Sequence, residues 1–164
     1  MKKIVTLLSL FAVSIAFAQS PLEKNKVQLN AGFGTSSWGT PVYFGADYGV
    51  SDIITIGAEA SYQSYKYFQV TSTIIGFQAN ANYHFHEVFK LPKEWDLYAG
   101  LNLNYYKWNV GDANNSVSIV DDKPFGVGGQ IGARYYINDK FAINIEGSGG
   151  NINNGGKIGV TYKL

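Results

Sequence analysis

The chain has 164 residues with 13 Lys and Arg against 12 Asp and Glu, 19 Gly, 15% aromatic residues and no Cys. Charged residues make up 15%, well short of the roughly 25% of ordinary soluble domains, and the near-zero balance gives no reason to expect nucleic acid as a partner. Without cysteine, neither disulfides nor a lipid-modified thiol can hold or anchor an exported domain of this size.

The N-terminus reads as an address. Lys2 and Lys3 precede an apolar run from Ile4 to Ala18 that exits through Ala16-Phe17-Ala18 before Gln19. A basic start, a short apolar stretch and a small-x-small exit describe a secretory signal peptide, cleaved between Ala18 and Gln19. The run is too short for a stable transmembrane helix, which needs roughly 20 apolar residues. The expected domains are a signal peptide over 1–18 and a single domain over 19–164.

The rest alternates with period two, the signature of a strand with two unlike faces. Val27, Leu29, Ala31 and Phe33 alternate with Gln28, Asn30, Gly32 and Gly34. After a loop at Ser36–Thr40, the pattern resumes from Val42 to Val50, and after a turn at Ser51-Asp52 from Ile54 to Gln63. A fourth segment runs from Ile75 to Phe85, a fifth from Trp95 to Tyr106, and a sixth from Phe125 to Ile137. The turn Asn138-Asp139-Lys140 leads to a seventh from Phe141 to Ser148, and the last covers Lys157–Leu164. These are eight segments of the length a tilted strand needs to cross a bilayer, and no helix-period stretch competes.

Alternation does not by itself say which face points inward; a soluble lipocalin-like lipid carrier with an apolar bore has the same rhythm. Two features favour an apolar exterior. The polar face is crowded with glycine, including Gly32, Gly45, Gly57, Gly100, Gly128, Gly132 and Gly159, and an eight-stranded bore is barely wide enough for side chains. The apolar face is also graded. Aliphatic residues such as Ile56, Leu101, Ile131 and Ile143 hold its middle, with aromatics at both ends. Phe33, Phe44, Tyr62, Phe77, Tyr105 and Phe125 mark one end, and Tyr48, Tyr83, Phe85, Trp95, Tyr135, Phe141 and Tyr162 the other. Aromatic belts at both ends suit a wall facing lipid. The expected fold is therefore all-β: an antiparallel up-and-down transmembrane barrel, closed because no water in the bilayer satisfies a strand edge. Both termini and the short turns fall on the periplasmic side. The connection at Glu87–Glu94 is longer than that rule predicts. Outward loops are expected near Ser36–Thr40, Tyr65–Thr71, Asn109–Lys123 and Gly149–Gly155.

These residues resemble the small outer-membrane barrels typified by the OmpA membrane domain and OmpX. The most specific part is the last strand, in which Gly159, Tyr162 and the terminal Leu164 resemble the C-terminal assembly signal of such barrels; the family usually ends in Phe where this chain has Leu. The resemblance implies insertion into outer-membrane lipid by the barrel-assembly machinery, an outer-membrane location and a monomer.

Inward ionisable residues are few: Asp47, Glu59, Arg134, Glu146 and Lys157. Buried charges need partners, so an Arg134–Glu146–Lys157 network is expected in the bore, with Glu59 and Asp47 reaching it. Its bland role is a plug and its functional one a gate or proton path. His84 and His86 share a strand face in this reading, but no third ligand accompanies them. No serine has a histidine and acid to make it a nucleophile. The expectation is a non-enzymatic barrel without cofactor or metal, acting in envelope structure or in surface contact through loops that include Trp38 and Tyr65–Phe68. A narrow channel for small solutes is the alternative.

Overall fold

In the computed structural model, residues 22–67, 70–112, 115–117 and 124–164 are described. The signal peptide expected over 1–18, with its cleavage site, lies outside them. The strands are β1 (Val27–Ser36), β2 (Val42–Ser51), β3 (Ile54–Tyr67), β4 (Val70–His84), β5 (Trp95–Asp112), β6 (Asn115–Val117), β7 (Phe125–Tyr136), β8 (Phe141–Gly150) and β9 (Asn154–Lys163). All but the three-residue β6, which folds back on the end of β5, are barrel staves. Each pairs antiparallel with its chain neighbour, β4 pairs with β5, and β1 pairs with β9 from Gln28↔Lys163 to Ser36↔Gly155. The sheet closes into an eight-stranded up-and-down barrel.

The faces sort as the glycine and aromatic patterns predict. Ile56, Leu101 and Ile143 are 49%, 71% and 47% exposed, whereas Gln28, Thr55, Asp96 and Thr161 have no accessible surface. A water-soluble carrier would bury the first set, and its reading falls here. The belts carry neighbouring rings, Tyr105 beside Phe125 (5.0 Å between centroids) at one end and Trp95 beside Tyr135 (5.0 Å) at the other. Glycines admit the larger side chains of the bore: a Cβ on Gly132 would collide with the Tyr98 ring, and one on Gly159 with the Tyr43 hydroxyl.

Four expectations need correction. The loop placed at Tyr65–Thr71 is strand on both sides: β3 and β4 run in one register from Ile54↔Tyr83 to Tyr67↔Val70. Tyr, Val and Thr in this stretch are good β-formers, so the ladder overshoots the apolar band as a hairpin; side chains from 65 to 71 lie outside the described ones. The long third loop likewise yields strand to Asp112, and the last outward loop narrows because β8 reaches Gly150 and β9 begins at Asn154. Finally, His86 is not on a strand. It opens a one-turn helix, α1 (His86–Phe89), inside the long periplasmic connection, so it does not share a strand face with His84.

Candidate functional site: the filled bore

Period-two alternation sends every second residue of β1, β2, β3, β4, β5, β7, β8 and β9 into the bore, where their polar groups stack in two layers. The periplasmic layer centres on Arg134 of β7. Its Nη2 lies 2.8 Å from Asp47 Oδ2 of β2, and its Nη1 3.1 Å from Asp96 Oδ2 of β5. Asp47 Oδ2 also accepts from Gln28 Nε2 and Asn30 Nδ2, both at 2.9 Å. Asp96 faces Arg134 directly across the β5–β7 ladder. Its other oxygen is 2.7 Å from His84 Nδ1, and His84 Nε2 lies 2.9 Å from Thr55 Oγ1. Both carboxylates thus have donors enough to offset the loss of water, the condition for burying them at all.

The second layer lies toward the outer mouth. Lys157 Nζ sits 2.9 Å from Glu59 Oε2 and 2.8 Å from Glu146 Oε1, and 5.1 Å from the Tyr43 ring centroid. Glu146 and Lys157 are ladder partners on β8 and β9, while Glu59 reaches across from β3. Tyr98 lies between the layers. Its ring stacks on the Arg134 guanidinium, 4.3 Å from Cζ to centroid, and its hydroxyl donates to Glu146 Oε2 at 2.9 Å.

The five ionisable residues picked from the sequence all point into the bore, but not as one cluster. Arg134 does not meet Glu146: the Tyr98 ring separates them, and Arg134 is held instead by Asp47 and Asp96. The network is two ion-paired groups joined through a tyrosine. Asp96 and His84 were missed as members. The available signal was that Asp96 is on the inward face of its strand, at the same periplasmic end as Arg134. Amides fill the remaining bore: Gln130 Nε2 donates to Asn82 Oδ1 (2.8 Å) and its Oε1 accepts from Gln78 and Asn102 (3.0 Å each).

Thr55, His84 and Asp96 have the connectivity of an acyl-transfer triad, with a threonine in the nucleophile position. All three are sealed in the bore, His84 at 2% exposure and the others at zero, so no substrate reaches the hydroxyl. No group of three His, Cys, Asp or Glu suited to a metal ion occurs among the described residues.

Among the described residues, open space in the bore is small. A cavity of about 50 Å³ sits under the outer mouth, among Thr35, Gln63, Gln78, Tyr106 and Lys157, and one of about 20 Å³ lies between the layers. Trp38, from the loop after β1, stretches across the mouth to β5 on the far side of the barrel, its ring 4.8 Å from Tyr106 and 4.7 Å from Trp108. Gly159 and Tyr162 sit within β9, the closing strand, and the Leu164 amide donates to Val27 at 3.0 Å.

The comparisons agree with this geometry. No curated protein matches the chain by sequence. Among solved structures, OprG of Pseudomonas aeruginosa superposes with a TM-score of 0.64 at 13% identity, over 88% of this chain and 98% of that one. The N-terminal barrel of Pseudomonas aeruginosa OprF gives 0.59 at 15%, over 86% and 98%. Neisserial surface protein A gives 0.61 at 14%, over 85% and 95%. Such identities speak to fold alone. The family model for the outer membrane protein beta-barrel domain matches residues 4–163, nearly the whole length, and the chain belongs to that family of outer-membrane proteins.

Proposed function

We propose that the protein is a sealed, non-enzymatic barrel whose role is structural, or one of surface contact through its outer loops. The observation that carries this is the pair of ion-paired layers spanning the bore, Arg134 with Asp47 and Asp96, and Lys157 with Glu59 and Glu146. A hydrated ion crossing the barrel must break both, and each is desolvated, where removing one partner of a pair costs about 3–5 kcal/mol. The triad-like Thr55–His84–Asp96 set serves the same plug: Asp96 orients the imidazole and ties it to Arg134. Purified protein in planar phospholipid bilayers is expected to stay silent; steady, ion-selective conductance refutes the plug.

A narrow channel is the second reading, and one observation favours it. The two cavities share Tyr43, Glu59 and Lys157 as lining residues, so only the Lys157 layer divides them. If that layer is a gate, Lys157→Met raises conductance while the wild type opens only in bursts. The same reading makes outer-membrane phospholipid the partner of the apolar wall, makes the chain a monomer, and makes the barrel-assembly machinery the recogniser of Gly159, Tyr162 and Leu164. Crosslinking of Tyr162→Cys to assembly components during insertion tests the last of these.

A further inference from the structure

From the ring contacts around α1 we propose that the long periplasmic connection is a membrane foot: Val88 and Phe89 insert into the inner leaflet of the outer membrane, with phospholipid as the occupant. The other two periplasmic connections close in a few residues, β2–β3 between Ser51 and Ile54 and β7–β8 between Tyr136 and Phe141. Between His84 and Trp95 the chain instead builds a helical turn whose amides are tied down by Phe89 N→Phe85 O (3.0 Å) and Leu91 N→His86 O (3.0 Å). Lys90, in the left-handed conformation at φ 49°, then reverses it.

A connection free in water has no reason to present adjacent large apolar side chains, yet Val88 and Phe89 are 57% and 60% exposed. What covers them follows from continuity. Tyr83 is on the outer wall in the periplasmic aromatic belt, Phe85 packs edge-on against it at 5.1 Å, and Phe89 lies against Phe85 at 5.7 Å. The three rings carry the lipid-facing surface from the strand into the turn without a polar break. Glu87, Lys90, Lys93 and Glu94 leave the connection with no net charge, so attachment rests on apolar burial at the interface, where aromatic rings are favoured.

A chain without cysteine allows single-site labelling. Val88→Cys, Phe89→Cys and Lys93→Cys are each spin-labelled in the full-length protein, folded into phosphatidylcholine vesicles, with Leu101→Cys as the reference on the wall. Labels at 88 and 89 are expected to collide several-fold less with a water-soluble nickel chelate than the label at 93, and more with oxygen. Equal nickel access at 88, 89 and 93 overturns the foot, and so does shielding of 88 and 89 from both reagents, which means protein covers them. If Leu101 itself shows nickel access, the membrane reading fails as well, a different result from failure of the foot alone.

Discussion

Replacing Arg134 by Met keeps much of the side chain's length and apolar stem while deleting the guanidinium. Asp47 and Asp96 are then left facing each other across the bore with no cation between them. The two losses are unequal. Asp47 keeps the amide donors of Gln28 and Asn30, whereas Asp96 keeps His84, at 2.7 Å. Since the guanidinium serves both carboxylates and stacks on Tyr98, the expected cost is at the upper part of the range for breaking a buried pair, about 3–5 kcal/mol. The triple variant Arg134→Met, Asp47→Asn, Asp96→Asn removes the charges together. It is expected to recover more than half of that loss, because residues of one network are non-additive. The assay is reversible urea unfolding in phospholipid vesicles, read by the difference in gel mobility between heated and unheated samples. A single-variant cost below about 1 kcal/mol, the scale of an exposed pair, would refute the view that these charges are desolvated. A triple variant no more stable than the single one would refute the view that they act as one group.

On the lipid wall, Leu101→Arg is expected to cost about 2–4 kcal/mol in the same unfolding assay, as for a cation near the bilayer midplane; a neutral or solubilising effect contradicts an exterior in lipid. Inside, Gly132→Ala puts a methyl group where the Tyr98 ring lies and is expected to cost about 1–3 kcal/mol by overpacking, with much of it relieved by adding Tyr98→Leu; an unrelieved cost places the strain elsewhere. At the C-terminus, Leu164→Phe is expected to raise the rate of assembly into native outer membranes without changing equilibrium stability, and an unchanged rate removes Leu164 from the recognition signal.

The barrel was legible in the sequence because its physics is one-dimensional. Period two fixes the faces, and glycine opposite branched and aromatic side chains tells the bore from the wall without knowledge of any partner strand. The charge clusters were legible where hairpin register can be read from neighbouring strands: the tight turn after Tyr136 places Asn144 beside Arg134, and a hairpin register for the last two strands places Lys157 beside Glu146. Asp96 meets Arg134 across β5 and β7, which are joined by the longest connection of the chain, so no turn geometry sets that pairing. That Asp47 and Glu59 reach the charge network follows from the narrow bore, but which cation each meets, Arg134 or Lys157, depends on barrel diameter and stagger, which sequence spacing does not carry. The α1 turn escaped because four residues are too few for helical periodicity to register.

A bore filled with ion pairs needs explaining, since an apolar filling of equal volume is often as stable or more so. The lipid outside supplies the answer. A strand of this barrel already has one wholly apolar face, and if the other were apolar too, slipping by one residue would exchange two equivalent faces at little cost. With Asp47, Asp96, Arg134, Glu146 and Lys157 on the inner face, the same slip drives full charges into hydrocarbon, where a cation near the midplane costs about 2–4 kcal/mol. The layers also tie strands that are not neighbours: Arg134 fastens β7 to β2, Lys157 fastens β9 to β3, and Tyr98 links β5 to β8. A misregistered barrel leaves several of these groups unpaired at once. On the proposed reading of a sealed bore, the same charges would also disfavour any register but the one in which it closes.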